Sequence, residues 1–233
     1  VFTLFPFGEV AARINFMSAL SSALAIWCVY LTTAALGRRA LGGQSLKTFG
    51  DHRDIGVIAG AAVAALTLAF SYTQWYNAAE AEVYGYSILF TTLSMWLIFY
   101  WEGTQHGTGN DRWLFLIAYL FGLGGGIHML CLLTIPSLLI LAFYADEKLR
   151  RLIGLLLGLG VGSGLALLVF GPGAGSNGAM GVGLVGVLYY LYGRDRRSFG
   201  LLVGVLFLFV LGYSTYEALY IRSGLNPAID END

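Results

Sequence analysis

Apolar residues along this chain fall into long runs that are separated by short polar stretches. The first three runs cover about residues 14–36, 55–73 and 85–101. A helix that crosses a membrane needs roughly 20 apolar residues at a rise of 1.5 Å each, and each run is close to that length. We therefore predict three membrane-spanning helices in this half of the chain.

The second half continues the pattern with one interruption. Residues 113–145 are too long for one span, and four of the five residues 122–126 are glycine. Each glycine weakens a helix by about 1 kcal/mol, so we predict a break there, between short helices at 113–125 and 129–145. Three more runs follow the interruption, at 152–170, 180–192 and 199–219. A glycine-rich turn is predicted at 171–178.

The composition agrees with a membrane protein. The chain is 57% hydrophobic but only 12% charged, whereas a soluble domain carries about 25% charged residues. We predict an all-α, polytopic membrane protein of about eight transmembrane helices over residues 1–220, with 221–233 as the start of an extracytoplasmic tail. The net charge of −1 gives no support for nucleic-acid binding.

Small residues inside the apolar runs are predicted to pack between neighbouring helices. Cys28 and Cys131 lie within apolar runs and are interpreted as packing residues rather than a disulfide or a metal pair. The chain has 32 glycines, and glycine lets membrane helices approach closely. We expect such close approach at the five glycines of residues 154–164.

Lysine and arginine are divided unequally between two sets of loops. If the helices alternate in direction, one side receives the loops 37–54, 102–112, 146–151 and 193–198. These loops contain four, one, three and three basic residues, eleven of the thirteen in the chain. The positive-inside rule then makes that side cytoplasmic. Arg13 and Arg222 are the two basic residues on the outward side.

The stretch between the second and third runs is the strongest candidate for chemistry. Residues 74–84 form a predicted outward turn with two carboxylates, two amides, three aromatic rings and no basic residue. Glu80 and Glu82 are candidate general bases or ligands of a metal or substrate. Trp75, Asn77 and Tyr84 are candidate substrate contacts. The alternatives are solvated acids favoured by a helix N-terminus and an aromatic belt at the membrane surface.

Three further residues share the outward side. His128 lies at the predicted helix break, and irregular backbone within a membrane is tolerated beside protein or a water-filled cavity. Arg13 and Arg222 could pair with a lipid-linked phosphate, because the planar guanidinium suits phosphate oxygens. They could equally be ordinary residues whose stems lie along the membrane surface.

Four stretches, in this order, resemble the bacterial protein O-mannosyltransferase-like membrane family. They are RINFMSAL (13–20), AEAEVY (79–84), RWLFLIAYLFGLGGGIH (112–128), and the tail with GYSTY (212–216) and IRSGLNPAIDEN (221–232). The resemblance implies a GT-C architecture, a helical glycosyltransferase of the bacterial cytoplasmic membrane. It also implies a polyprenyl-phosphate-linked sugar, with mannose expected, and an exported protein as acceptor.

The resemblance further implies an essential acid in the first outward loop. We expect this residue upstream of Val1, with the chain as an internal piece of a longer protein. No organic cofactor is expected, and a divalent metal stays open. Two rival functions remain, a membrane transporter and a structural or assembly subunit whose acidic rim contacts a partner. Transporters usually place ionisable groups near the bilayer midplane on broken helices, whereas the acids here gather toward one face.

Overall fold

The computed structural model of the chain describes residues 8–41, 52–80, 83–104, 110–171 and 173–224. Within these ranges every regular element is helical, which confirms the all-α prediction. A 3-10 segment (Met129–Thr134) precedes the sixth helix. The helices are α1 (Val10–Ala40), α2 (His52–Ala69), α3 (Tyr72–Ala79), α4 (Tyr84–Gly103), α5 (Arg112–Ile127), α6 (Ile135–Ala145), α7 (Glu147–Phe170), α8 (Ala174–Arg194), α9 (Arg196–Tyr213) and α10 (Glu217–Ser223).

The described residues do not support eight membrane spans. By length and hydropathy, three helices could cross a membrane, namely α1, α7 and α9. A fourth span results if α2 and α3 are counted together, although a bend of 59° separates them. Helix α4 has 20 residues and α8 has 21, but tyrosine and tryptophan in α4 and glycine in α8 reduce their hydropathy. Helices α5 and α6 are too short individually.

Residues 74–79, the first part of the stretch 74–84 that was predicted to be a turn, are helical and belong to α3. The second run ends at Ala69 rather than at residue 73, and α3 begins two residues after Phe70. The Ser71 side chain caps α3, because its Oγ accepts a hydrogen bond from the Gln74 backbone N–H at 3.3 Å. A serine at this position satisfies one of the amide groups that a helix N-terminus leaves unpaired. Residues 81 and 82 lie outside the described ranges.

The chain breaks at His128, between the predicted helices 113–125 and 129–145, but the glycine run 122–126 itself stays helical. Helix α5 continues through Ile127, and the irregular backbone begins at His128. Helical geometry persists because the glycines pack against neighbours instead of facing lipid. A Cβ atom placed on Gly122 would lie 2.9 Å from the Tyr213 backbone nitrogen and 3.0 Å from the Gly212 Cα atom. Helices α5 and α9 therefore cross backbone against backbone at Gly122 and Gly212.

The described residues divide into two compact units. The first comprises Val1–Thr134 with Leu208–Asp233, and the second comprises Ile135–Phe207. In the first unit α1 and α4 run parallel. Ser18 lies beside Gly85 at their beginnings, and Arg39 donates a hydrogen bond to the Phe99 carbonyl at 3.2 Å near their ends.

Helix α5 runs antiparallel to α4. The rings of Tyr100 and Trp113 meet edge to face with centroids 5.1 Å apart, where α4 nears its end and α5 begins. At the opposite end of the pair, the rings of Tyr84 and His128 lie 5.3 Å apart. Tyr84 and His128, which the sequence prediction assigns to one side of the membrane, are therefore in contact at one end of this unit.

In the second unit, α7 packs against α6 and α8. Helix α8 begins at Ala174, so the predicted turn 171–178 is mostly helical and the predicted span 180–192 is longer at both ends. Close approach at the five glycines of 154–164 was also predicted, and this prediction is wrong. A Cβ atom on any of them would meet nothing within 4 Å.

The helix at the last predicted span, 199–219, ends earlier than expected. Helix α9 ends at Tyr213, a turn follows at 214–216, and α10 covers Glu217–Ser223. The predicted tail 221–233 therefore begins inside a short helix. From residue 225 onward it lies outside the described ranges.

Candidate functional site

Helix directions bring most of the predicted site residues to one end of the first unit. Tyr84 and His128 are in ring contact, and Glu80 precedes Tyr84 by four residues. Arg13 lies five residues, about one and a half helical turns, before Ser18, which faces Gly85 at the start of α4. We call this the site end. The opposite end carries Arg39, Glu102 and Trp113, with Arg39 and Glu102 forming an ion pair.

Glu80 occupies the C-terminal cap of α3. Its backbone is extended, with φ −107° and ψ 151°, and its side chain is half-buried. The C-terminus of a helix carries partial negative charge, so α3 does not favour this carboxylate in the way that a helix N-terminus would. Glu82, the second candidate acid, lies outside the described residues.

Aromatic side chains of α3 are open to the surroundings. Trp75 is 67% exposed, and the rings of Tyr72 and Tyr76 stack with centroids 6.1 Å apart. Trp75 also lines a groove of about 420 Å³ between α1, α2 and α3. The groove is apolar apart from Ser22 and Gln74. Asn77 is half-buried on the same helix.

The sequence interpretation overlooked this groove and the residues Phe70 and Gln74 that help to form it. A signal for the local structure was present. Ser71 and Gln74 fit the capping-box pattern in which serine is followed three residues later by glutamine. That pattern predicts a helix beginning just after Ser71. The groove itself depends on side chains from α1 that are distant in sequence, so no local pattern indicates it.

His128 is held by three hydrogen bonds. Its backbone N–H donates to the Gly124 carbonyl at 2.7 Å, and its own carbonyl accepts from the Cys131 thiol at 3.4 Å. Its imidazole Nδ1 accepts from the Leu130 backbone N–H at 3.2 Å. The ring is tilted by 48° against the Tyr84 ring. These contacts fix both the position and the orientation of the imidazole.

Of the two arginines predicted to face outward, the structure describes the side-chain contacts of Arg13 but not those of Arg222. Arg13 donates from Nε and Nη2 to the Gly8 carbonyl, at 3.1 Å and 2.9 Å. Arg222 lies in α10, and its side chain is outside the described set. The turn before α10 reaches the site end, because a Cβ atom on Gly126 would lie 3.2 Å from the Tyr216 Cβ atom.

Metal-ligating residues do not cluster in the described part of the chain. No group of three or more histidine, cysteine, aspartate or glutamate side chains there could hold a metal ion. Cys28 and Cys131 are buried free thiols, which confirms their predicted packing role. Cys131 packs against Gly124, where a Cβ atom would come within 2.6 Å of its sulfur.

A separate polar cluster stabilises the second unit. Asp146 caps α7 by accepting hydrogen bonds from the backbone N–H groups of Lys148 and Leu149, and it accepts another from Arg197 at 2.8 Å. Burial alone would raise the pKa of Asp146, but the bonds from Arg197 and Leu149 outweigh it and lower that pKa below 3.8. This cluster joins the beginnings of α7 and α9 and has the character of a structural ion pair.

One comparison with known proteins gives a match. The family model described as "Protein O-mannosyl-transferase TMEM260 N-terminal domain" matches residues 1–151, which is more than half of the chain. No curated protein matches the chain, and no solved structure matches it. The matched range contains every candidate site residue except Arg222.

Proposed function

Because the chain belongs to the family of the protein O-mannosyl-transferase TMEM260 N-terminal domain, we propose that it is the membrane part of a protein O-mannosyltransferase. The donor is a polyprenyl-phosphate-linked mannose, and the acceptor is a serine or threonine hydroxyl of an exported protein. The architecture we propose is of the GT-C type, in the cytoplasmic membrane of a bacterium. The family match carries this proposal.

The arrangement of the site end supports it. Among the residues whose side chains the structure describes, no aspartate, glutamate, lysine or arginine is buried; the buried polar residues are serines and Gln74. Ion-coupled transport usually needs ionisable groups within the helix bundle. The ionisable and aromatic residues discussed above lie instead toward the ends of the first unit, and at the site end a water-soluble acceptor and a lipid-anchored donor can meet.

The proposed reaction is an inverting transfer. A carboxylate takes the proton of the acceptor hydroxyl while its oxygen bonds to the anomeric carbon of mannose. The bond between that carbon and the phosphate oxygen breaks at the same time, and the lipid phosphate leaves with the electron pair. Glu80 and Glu82 are the candidate carboxylates within this chain.

The remaining candidates have binding roles in this proposal. Trp75 and Tyr84 offer ring faces to the apolar side of a sugar, since aromatic rings combine an apolar body with defined geometry. Asn77 and His128 supply hydrogen bonds. Arg13 and Arg222 offset the charge of the departing phosphate, as preorganised cations do at transition states. The site end faces outward, following the distribution of basic residues.

The experiment exchanges each acid for its amide in the complete protein. We expect Glu80→Gln or Glu82→Gln to lower mannosylation of an exported serine- and threonine-rich reporter by about 100-fold or more, the contribution of a general base. Lectin staining and the intact mass of the reporter measure the transfer. Membrane insertion, followed by fractionation, should be unchanged.

Glu147→Gln is the matched control. Glu147 is an exposed acid on α7, in the second unit, and it pairs with Arg151 at 2.5 Å. Its amide variant should mannosylate the reporter like the wild type. Unchanged transfer in both Glu80→Gln and Glu82→Gln would return those residues to the role of interfacial acids.

A further inference from the structure

The hydrogen bond at Nδ1 decides which protonation form of His128 is compatible with the fold. A backbone amide can only donate, so the Leu130 N–H at 3.2 Å requires a lone pair on the His128 Nδ1 atom. A neutral imidazole has one nitrogen with a proton and one with a lone pair. The neutral ring must therefore carry its proton on Nε2.

The Nε2 atom has no hydrogen-bonding partner among the described residues. The bonds of His128 run through its backbone N–H, its carbonyl and Nδ1. The side chain is only half-buried, and Nε2 is not among the buried polar atoms that lack a partner. An N–H donor is thus fixed in direction and accessible beside the Tyr84 ring.

We infer that His128 is a sugar-binding residue that donates its Nε2–H to a hydroxyl oxygen of the bound sugar and does not act as the general base. The identity of the ligand rests on the proposed function, whereas the protonation form does not. A ring that carries its proton on Nε2 has no lone pair there to accept one from a substrate. The Tyr84 ring beside it offers the apolar surface that the carbon–hydrogen face of a sugar requires.

The first test reads the protonation form without any ligand. The chain contains three histidines, His52, His106 and His128, so ¹⁵N-histidine labelling in lipid nanodiscs gives few imidazole signals. The signals lost in His128→Gln identify His128. We expect the neutral ring to carry its proton on Nε2 and a lone pair on Nδ1. A proton on Nδ1, with Nε2 unprotonated, would overturn the inference.

The second test adds a sugar probe to the same labelled protein. Methyl α-mannoside should shift the His128 Nε2 signal in a saturable way, and inorganic phosphate should not. Tyr84→Leu should weaken the sugar-induced shift, because the neighbouring ring surface is lost. No shift with the mannoside, or a shift with phosphate alone, would contradict the assignment of a sugar hydroxyl as the bound group.

The third test separates a donor from a base by kinetics in the complete protein. The amide nitrogen of glutamine reaches about as far as Nε2, whereas that of asparagine reaches only as far as Nδ1. His128→Gln should keep KM within about threefold, and His128→Asn should raise KM about tenfold, or 1.4 kcal/mol, with kcat nearly unchanged.

A general base gives the opposite pattern. Both variants would then lose about 10²- to 10⁴-fold in kcat, and that result would overturn the inference. If the wild type transferred no mannose at all, the proposed function would fail instead. The protonation form of His128 would still be decided by the labelled spectra.

Discussion

The crossing of α5 and α9 makes a sharp prediction about two glycines. In Gly122→Ala the new methyl group would lie 2.9 Å from the Tyr213 backbone nitrogen and still closer to the Phe209 carbonyl oxygen. In Gly212→Ala it would lie 2.8 Å from the Leu123 backbone nitrogen. Both obstacles are backbone atoms, which cannot rotate away as a side chain can. The two helices must therefore move apart.

The expected cost follows from two opposing terms. Inserting a methyl group into a packed contact costs about 1–3 kcal/mol, and replacing glycine by alanine within a helix recovers at most about 1 kcal/mol. Because the obstacles are backbone atoms, we take the upper part of that cost, about 2–3 kcal/mol, and expect each variant to lose about 1–2 kcal/mol of stability. For a chain of this size that corresponds to roughly 2–8 °C in the unfolding midpoint, measured by thermal unfolding in lipid nanodiscs.

The open glycines of α7 provide the control. A Cβ atom on Gly158 or Gly160 would meet nothing within 4 Å, so alanine there should leave the midpoint unchanged or raise it. The double variant Gly122→Ala, Gly212→Ala should cost clearly less than the sum of its parts, because one separation of the helices accommodates both methyl groups. Equal midpoints for Gly122→Ala and Gly158→Ala would refute the close crossing.

Two further predictions concern the charged clusters and the orientation. Because the pKa of Asp146 is lowered in the folded protein, its carboxylate contributes stability above pH 3.8, and this contribution is lost as the pH falls through the folded pKa. As the pH is lowered through this region, the thermal unfolding midpoint should therefore fall more steeply in the wild type than in Asp146→Asn. Parallel curves of midpoint against pH would exclude the ion pair as the cause. Glu80→Cys at the site end and Gly103→Cys at the opposite end should react with a membrane-impermeant maleimide from opposite compartments, with Glu80→Cys labelled from outside. Labelling of both from one compartment would contradict the proposed orientation.

The sequence predicted the all-helical class and the bounds of some helices, but neither the number of membrane spans nor the packing. The hydrophobic runs predicted the ends of α1 and α4 to within a few residues, and the position of the break at His128 was predicted correctly. The glycines were assigned the wrong role, since helix propensity in water says little about a membrane helix packed through small residues. Nothing local marks the partner of Gly122, which lies 90 positions away at Gly212.

The candidate site shows the same division. The alternation of spans assigned Tyr84 and His128 to one predicted side, and in the structure their rings are in contact. The bend before α3 was missed, because the Ser71 cap was not recognised beside an apolar run. The protonation form of His128 depends on a backbone amide two residues later, and its orientation cannot be seen before the chain is folded.

The parallel arrangement of α1 and α4 has a consequence for biosynthesis. The α1 face that includes Ser18 and Ser22 lies against the start of α4 at Gly85, yet α2 and α3 leave the ribosome before α4 does. Until then this serine face has no permanent neighbour and must be shielded by lipid, by the insertion machinery or by a provisional contact with α2. Assembly of the first unit is thus tied to the moment when α4 enters the bilayer.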